Sequence, residues 1–155
     1  MRKIKGFTLI EILVVVTIIS LLTSAAVVSY TQLGKQSRDA RRKTDLEQIR
    51  AAIEMYRSNN NYYPATSGVV TTCASSDTIA DASNTYLNDV SDDPKCPTYK
   101  YYYIALPNGC DNSVGSYCTN YIVAAHLETS PSVCQSLNTE CTDTCTYCLN
   151  AYGSL

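Results

Sequence analysis

Residues 7–34 read FTLIEILVVVTIISLLTSAAVVSYTQLG, and this stretch decides the architecture. A single carboxylate, Glu11, interrupts it. From residue 12 to residue 34 no charged side chain occurs, a gap of 23 residues, which is enough for a helix to cross a bilayer. The 28 residues from Phe7 to Gly34 make roughly 42 Å of helix at about 1.5 Å per residue, so a tilted span with some overhang is predicted. A carboxylate inside such a span costs a few kcal/mol. Glu11 is therefore expected to have a purpose and a partner. Ahead of the run, MRKIKG (residues 1–6) carries Arg2, Lys3 and Lys5, and positive charge on the cytoplasmic side leaves the bulk of the chain outside.

Two plainer readings compete. Residues 1–26 have the basic start, apolar centre and small residues (Ser24, Ala25, Ala26) of a secretory signal. A carboxylate in the apolar core and an apolar run continuing past Ala26 count against it. A plain single-span anchor explains the length but leaves Glu11 without a purpose.

The stretch Lys5-Gly6-Phe7-Thr8-Leu9-Ile10-Glu11 resembles the processing site of type IV pilins and of the related type II secretion pseudopilins. The resemblance extends over residues 1–64, because RRKTDLEQIRAAIEMYRSNNNYYP (41–64) looks like the shaft end of such subunits. It implies that a membrane-embedded aspartic peptidase, the prepilin peptidase, cuts between Gly6 and Phe7 and methylates the Phe7 amine. It also implies filament assembly through Phe7 and Glu11, with the new amine of one subunit meeting the Glu11 carboxylate of its neighbour. A buried pair of that kind adds little net stability, yet breaking it is costly and it can fix register. Many family members carry a proline in the second half of the apolar run. Here Ala25-Ala26-Val27-Val28-Ser29 stand in its place, and no proline precedes Pro64. Gly34 is the one weak interior position, at roughly 1 kcal/mol relative to alanine.

Beyond Gly34 the helix is predicted to continue with another character. Leu46, Ile49, Ile53 and Tyr56 recur at spacings of 3, 4 and 3 and form an apolar stripe suited to packing on a small sheet. Asp39 with Lys43 and Arg50 with Glu54 are four apart, as expected for pairs on an exposed face. Ser58-Asn59-Asn60-Asn61 and Pro64 end the helix. Its total of about 50 residues, roughly 75 Å, is too long for an ordinary globular helix and suits a filament spine. The Arg41-Arg42-Lys43 cluster invites a nucleic-acid reading, but no stacking aromatic is interleaved with it. A solvated helix face meeting acidic surface on the next subunit is the expectation.

Residues 63–155 form the head. From residue 65 onward two basic residues (Lys95, Lys100) stand against nine acidic ones, a net of −7, which suggests charge complementarity with the basic shaft of a stacked subunit. Residues 65–98 read as loop with one helical turn around 79–87. Residues 99–106 and 117–125 are aromatic and β-prone with turn residues between them, which predicts an antiparallel hairpin. A third strand is expected near residues 145–152. All eight cysteines (Cys73, Cys96, Cys110, Cys118, Cys134, Cys141, Cys145 and Cys148) lie in this head. An even number confined to the exported part predicts disulfides of unknown pairing. Cys145-Thr146-Tyr147-Cys148 also resembles a metal or redox pair, with Cys141 as a third sulfur. The sole histidine, His126, placed in a strand, is a poor completion of a zinc site. Asp111, Asn112 and Ser113 offer oxygens for the calcium that related pseudopilins bind, though with one carboxylate only.

The chain is thus expected to be α+β: a long N-terminal α-helix, half transmembrane and half amphipathic, packed on a small, disulfide-rich antiparallel β-sheet head. Its parts are a leader (1–6), a transmembrane and assembly helix (7–34), an amphipathic helix (35–62) and a globular extracellular head (63–155). No nucleophile–base–acid set, cofactor site or metal site is expected. The expected role is a pilin of a type IV pilus serving adhesion or motility. The alternatives are a major pseudopilin of a type II secretion or competence system, or a secreted cysteine-rich binding domain. Expected partners are further copies of the chain, prepilin peptidase, a pilus or secretion assembly platform and the cytoplasmic membrane before assembly. The chain would begin as a single-pass cytoplasmic membrane protein and end in an extracellular or periplasmic filament.

Overall fold

The computed structural model describes residues 6–66, 73, 77–130, 134 and 145–154. Among the described residues one helix, α1 (Leu9–Asn60, 52 residues), is followed by six strands: β1 (Thr78–Ala80), β2 (Thr85–Asn88), β3 (Tyr102–Leu106), β4 (Asn120–Ala125), β5 (Tyr147–Asn150) and β6 (Gly153–Ser154). The chain divides into two compact units, Met1–Ser37 and Arg38–Leu155.

In the first unit the side chains of residues 7–27 are all exposed, among them Phe7, Leu9, Ile10, Leu13 and Leu22. An apolar helix with no buried face belongs in lipid or against other helices. The polar residues of this stretch fit the same setting. The hydroxyls of Thr17, Ser20, Thr23 and Ser24 each donate 2.8 Å bonds to the carbonyls of Val14, Val16, Ile19 and Leu21, and Ser29 donates to Ala25 at 3.3 Å. No donor of these side chains is left unsatisfied in an apolar medium.

The second unit is built on the antiparallel sheet β3-β4-β5-β6. Its register pairs Tyr103 with Val123, Ala105 with Tyr121, and Val123 with Leu149. The two-residue period of a strand sends Tyr103, Ala105, Tyr121, Val123, Ala125 and Leu149 to one face. There they meet Leu46, Ile49, Ala52 and Ile53 of α1, all buried. The stripe predicted from spacing is this packing face, with Tyr56 half-buried at its end. The opposite sheet face carries Ile104, Ile122, Ala124 and Cys148, covered by Cys145 and Cys134. Both faces of β4 are therefore buried, which explains a strand sequence without polar alternation.

The hairpin expected from residues 99–106 and 117–125 is β3–β4, and the third strand is β5. The helical turn expected around 79–87 is instead the hairpin β1–β2, in which Thr78 pairs with Asn88 and Ile79 with Leu87. Asp81 decides this. Its Oδ1 accepts from the backbone amides of Ser83 and Asn84, both at 2.7 Å, closing an Asx turn.

Two expected helix pairs are also replaced. Asp39 is buried and binds Arg42, while the Lys43 ammonium lies 5.4 Å from the Tyr147 ring centre. Arg50 pairs with Glu47, and Glu54 accepts from Tyr63 and Tyr121. Asp39 and Arg50 thus take partners three positions away on α1, and Glu54 takes hydroxyls from outside the helix.

Candidate functional site

Glu11 sits in the first turn of α1. Its Oε2 accepts from both the backbone amide and the hydroxyl of Thr8, each at 2.7 Å, and its own amide donates to Thr8 Oγ1 at 3.3 Å. This is a reciprocal capping box with Thr8 as N-cap. The carboxylate lies at the positive end of the helix dipole, where an anion is favoured. Oε1 makes no hydrogen bond to any described residue, the Glu11 side chain is exposed, and Phe7 is 82% exposed. The site thus holds an anion by one oxygen and offers the other. The sequence signal was available: a Thr-x-x-Glu preceding an apolar run.

A second constellation was not foreseen. Arg42, expected on a solvated face, is fully buried. It forks onto Asp93, with Nε to Oδ2 at 2.7 Å and Nη2 to Oδ1 at 3.0 Å. Its Nη1 donates to Asp39 at 2.8 Å and Glu128 at 3.0 Å. Glu128 also receives two bonds from Arg38, at 2.7 and 2.8 Å, and one from Lys95 at 2.8 Å. Asp39 accepts from the amides of Glu128 and Thr129, both 2.9 Å, and from the Thr129 hydroxyl at 2.6 Å. Much of the complementarity between basic shaft and acidic head is therefore satisfied inside one subunit. Hydrogen bonds from Arg38 hold the Glu128 carboxyl well below its ordinary range, against some burial. Burial pushes Asp39 up, but the Thr129 hydroxyl and the two backbone amides bring it net below its ordinary value. Three cations and three carboxylates in contact make one connected ionic network. Of the Arg41-Arg42-Lys43 cluster only Arg41 and Lys43 are exposed, and Arg42 is withdrawn from any phosphate.

Further along α1, Glu54 accepts from the Tyr121 hydroxyl at 2.9 Å and from Tyr63 at 3.3 Å, and Arg57 donates to Tyr63 at 2.9 Å. Burial pushes the Tyr121 hydroxyl up, and its bond to Glu54 adds to the shift. Tyr101 behaves alike through burial and Asp45. Tyr101 and Tyr103 are core residues.

Three disulfides are defined: Cys73–Cys96, Cys110–Cys118 and Cys134–Cys148. Cys145 is disulfide-bonded as well, and Cys141 lies outside the described residues. Cys148 pairs with Cys134, so Cys145 and Cys148 are not joined to each other as a Cys-x-x-Cys redox pair would be. His126 lies one residue beyond β4 and stacks on Tyr99 with ring centres 4.2 Å apart. Among the described residues no three His, Cys, Asp or Glu side chains converge as a metal set. The oxygens considered for calcium are engaged otherwise. Asp111 Oδ1 accepts from the Ser113 amide and hydroxyl, and Asn112 bridges the Tyr63 carbonyl and the Cys118 amide. Asn112 holds a left-handed backbone (φ 63°) there.

Residues 1–27 match the family model of the prokaryotic N-terminal methylation motif, and residues 29–118 match that of type II secretion system (T2SS), protein G. Similar proteins include the type II secretion system core protein G of Pseudomonas aeruginosa, 40% identical over 65 residues, which is 42% of this chain and 46% of that protein. That of Vibrio cholerae is 36% identical over 66 residues (43% and 45%), and that of Escherichia coli (strain K12) 34% over 64 (41% and 44%). The chain thus covers about half the length of these curated relatives, or slightly less. No solved structure matches it.

Proposed function

The chain belongs to the type II secretion system protein G family, and from that premise we propose that it is a pseudopilin, a structural rather than catalytic subunit that polymerises through α1. The leader 1–6 is removed by prepilin peptidase between Gly6 and Phe7, and the Phe7 amine is methylated. Before assembly α1 anchors the subunit in the cytoplasmic membrane with the leader inside and the head outside. The secretion assembly platform then draws it into a filament.

The observation that carries this reading is the first turn of α1, where an exposed, capped Glu11 with one open oxygen opens an apolar stretch with no buried face. In a bundle of such helices the free oxygen is where the Phe7 amine of an adjoining copy neutralises the charge. Loss of that amine leaves an unpaired anion in an apolar setting, which is the costly case.

N-terminal sequencing and mass spectrometry of the membrane-extracted protein test it: a methylated Phe7 start is expected. A start near Ala26 or Val27 would mark a secreted domain behind an ordinary signal and overturn the proposal. Glu11→Ala is expected to insert and be cleaved normally but to yield no polymer. Unchanged polymer would remove Glu11 from assembly.

A second reading, a pilus fibre for adhesion or motility, is favoured by the disulfide-stapled head, which suits a fibre exposed outside the cell. Electron microscopy of material sheared from cells separates the two. Long surface fibres at native expression favour the pilus, and their absence with intact secretion favours the pseudopilus.

A further inference from the structure

We propose that a groove at the C-terminal end of α1 is a binding site for a neutral carbohydrate. The groove has a volume of about 390 Å³, within the range of small-molecule sites. It lies between the last turns of α1 and the β1–β2 turn. Its walls include the Tyr56 and Tyr62 rings, the Asn59 and Asn60 amides, and the Asp81–Asn84 turn.

Its parts are fixed in advance. Asp81 Oδ2 accepts from Asn60 Nδ2 at 2.9 Å and from the Tyr86 hydroxyl, while Oδ1 takes the two amides of its own turn. One carboxylate therefore ties helix, strand and turn together. Asn59 adds a 3.0 Å bond to the Tyr86 hydroxyl. The rings form a continuous series: Tyr86 to Tyr56 at 5.5 Å and Tyr56 to Tyr62 at 6.2 Å, both edge-on, then Tyr62 stacked on Tyr117 at 5.4 Å.

The chemistry selects the ligand class. Aromatic faces accept the C–H faces of a pyranose, and amide and hydroxyl groups read its hydroxyls. The side chains of Ser83 and Asn84 are exposed and make no hydrogen bond to any described residue, so both are available. No cation is among the lining residues, while Asp81 and the negative end of the α1 dipole disfavour an anion. The mostly polar lining disfavours a lipid chain. A neutral sugar is what remains, and preorganised walls lower the ordering cost of binding it.

The test uses the full-length chain in zwitterionic, sugar-free detergent micelles, titrated with chitotriose peracetylated at nitrogen and, separately, with maltotriose. Side-chain amide resonances of Asn59, Asn60 and Asn84 are followed by NMR. At least one probe is expected to shift them saturably. Tyr62→Ala should weaken that probe's binding about tenfold, a change of about 1.4 kcal/mol. Asn84→Ala, whose side chain supports nothing in the fold, should weaken it several-fold with the rest of the spectrum unchanged. Tyr152→Ala, at a 90% exposed tyrosine outside the groove, should leave it unaltered. No saturable shift with either probe, or equal loss with Tyr152→Ala, overturns the proposal. So do groove shifts that grow with protein concentration in the absence of sugar, because they would make the groove a contact between subunits.

Discussion

Arg42 and Asp93, 51 positions apart, meet as a two-point fork at 2.7 and 3.0 Å with neither side chain exposed to solvent. Arg42 belongs to α1 and Asp93 to the segment leading into β3, so the pair fastens the head to its helix. Such a pair adds little over an apolar contact, but removing one partner strands the other charge. Arg42→Met is expected to cost about 3–5 kcal/mol, read as a lower urea midpoint with the disulfides intact. Arg42→Lys should recover only part, because an ammonium cannot make the planar fork.

The same network sets the acid limit of the head. Glu128 and Asp39 both have carboxyls held below their ordinary values of 4.5 and 3.8. A depressed carboxyl contributes stability that is fully present above its unfolded value and lost as pH falls toward its folded one. The urea midpoint should therefore be flat down to about pH 5.5 and decline below about pH 4.5. Glu128→Gln should lower the midpoint at neutral pH and make the decline shallower. An unchanged acid slope in that variant would exclude Glu128 as a source.

The disulfides should rank by the loops they close. Sequence separations of 8, 14 and 23 for Cys110–Cys118, Cys134–Cys148 and Cys73–Cys96 correspond to about 2.5, 3.0 and 3.4 kcal/mol of chain-entropy stabilisation. Paired Cys→Ser variants, compared by denaturant unfolding under oxidising conditions, should follow that order.

Thr8→Ala removes the hydroxyl that donates to Glu11 Oε2 and caps the Glu11 amide, leaving only the backbone amide of residue 8 as a donor to that oxygen. The loss of a cap is worth about 1 kcal/mol, and amide exchange over residues 9–13 in micelles should quicken about fivefold. Thr8→Ser should restore the slow exchange.

Leu46 has no exposed surface and packs under the sheet. Leu46→Ala is expected to cost about 2–5 kcal/mol in the same unfolding measurement, whereas Leu21→Ala, 72% exposed, should leave the unfolding of the head unchanged.

The residues themselves determined whatever depends on local order and periodicity. The uncharged run after Glu11, the 3-4-3 stripe from Leu46 to Tyr56, the asparagines that stop α1 and the aromatic stretches that became β3 and β4 all act through neighbours in sequence. Confinement of every cysteine to the head was equally legible, because compartment chemistry needs no fold. Tertiary structure decided where charges go. Arg42, Asp39, Asp93 and Glu128 carry no local mark of burial, and the carboxylates that hold Arg42 from 51 and 86 positions away reach it only through the fold. It also decided the β1–β2 hairpin, since Ile79 is one buried residue in a polar stretch whose turn depends on a single side chain, Asp81. Disulfide pairing was open for the same reason: eight cysteines permit 105 connectivities, and only the approach of strands and loops in space selects among them.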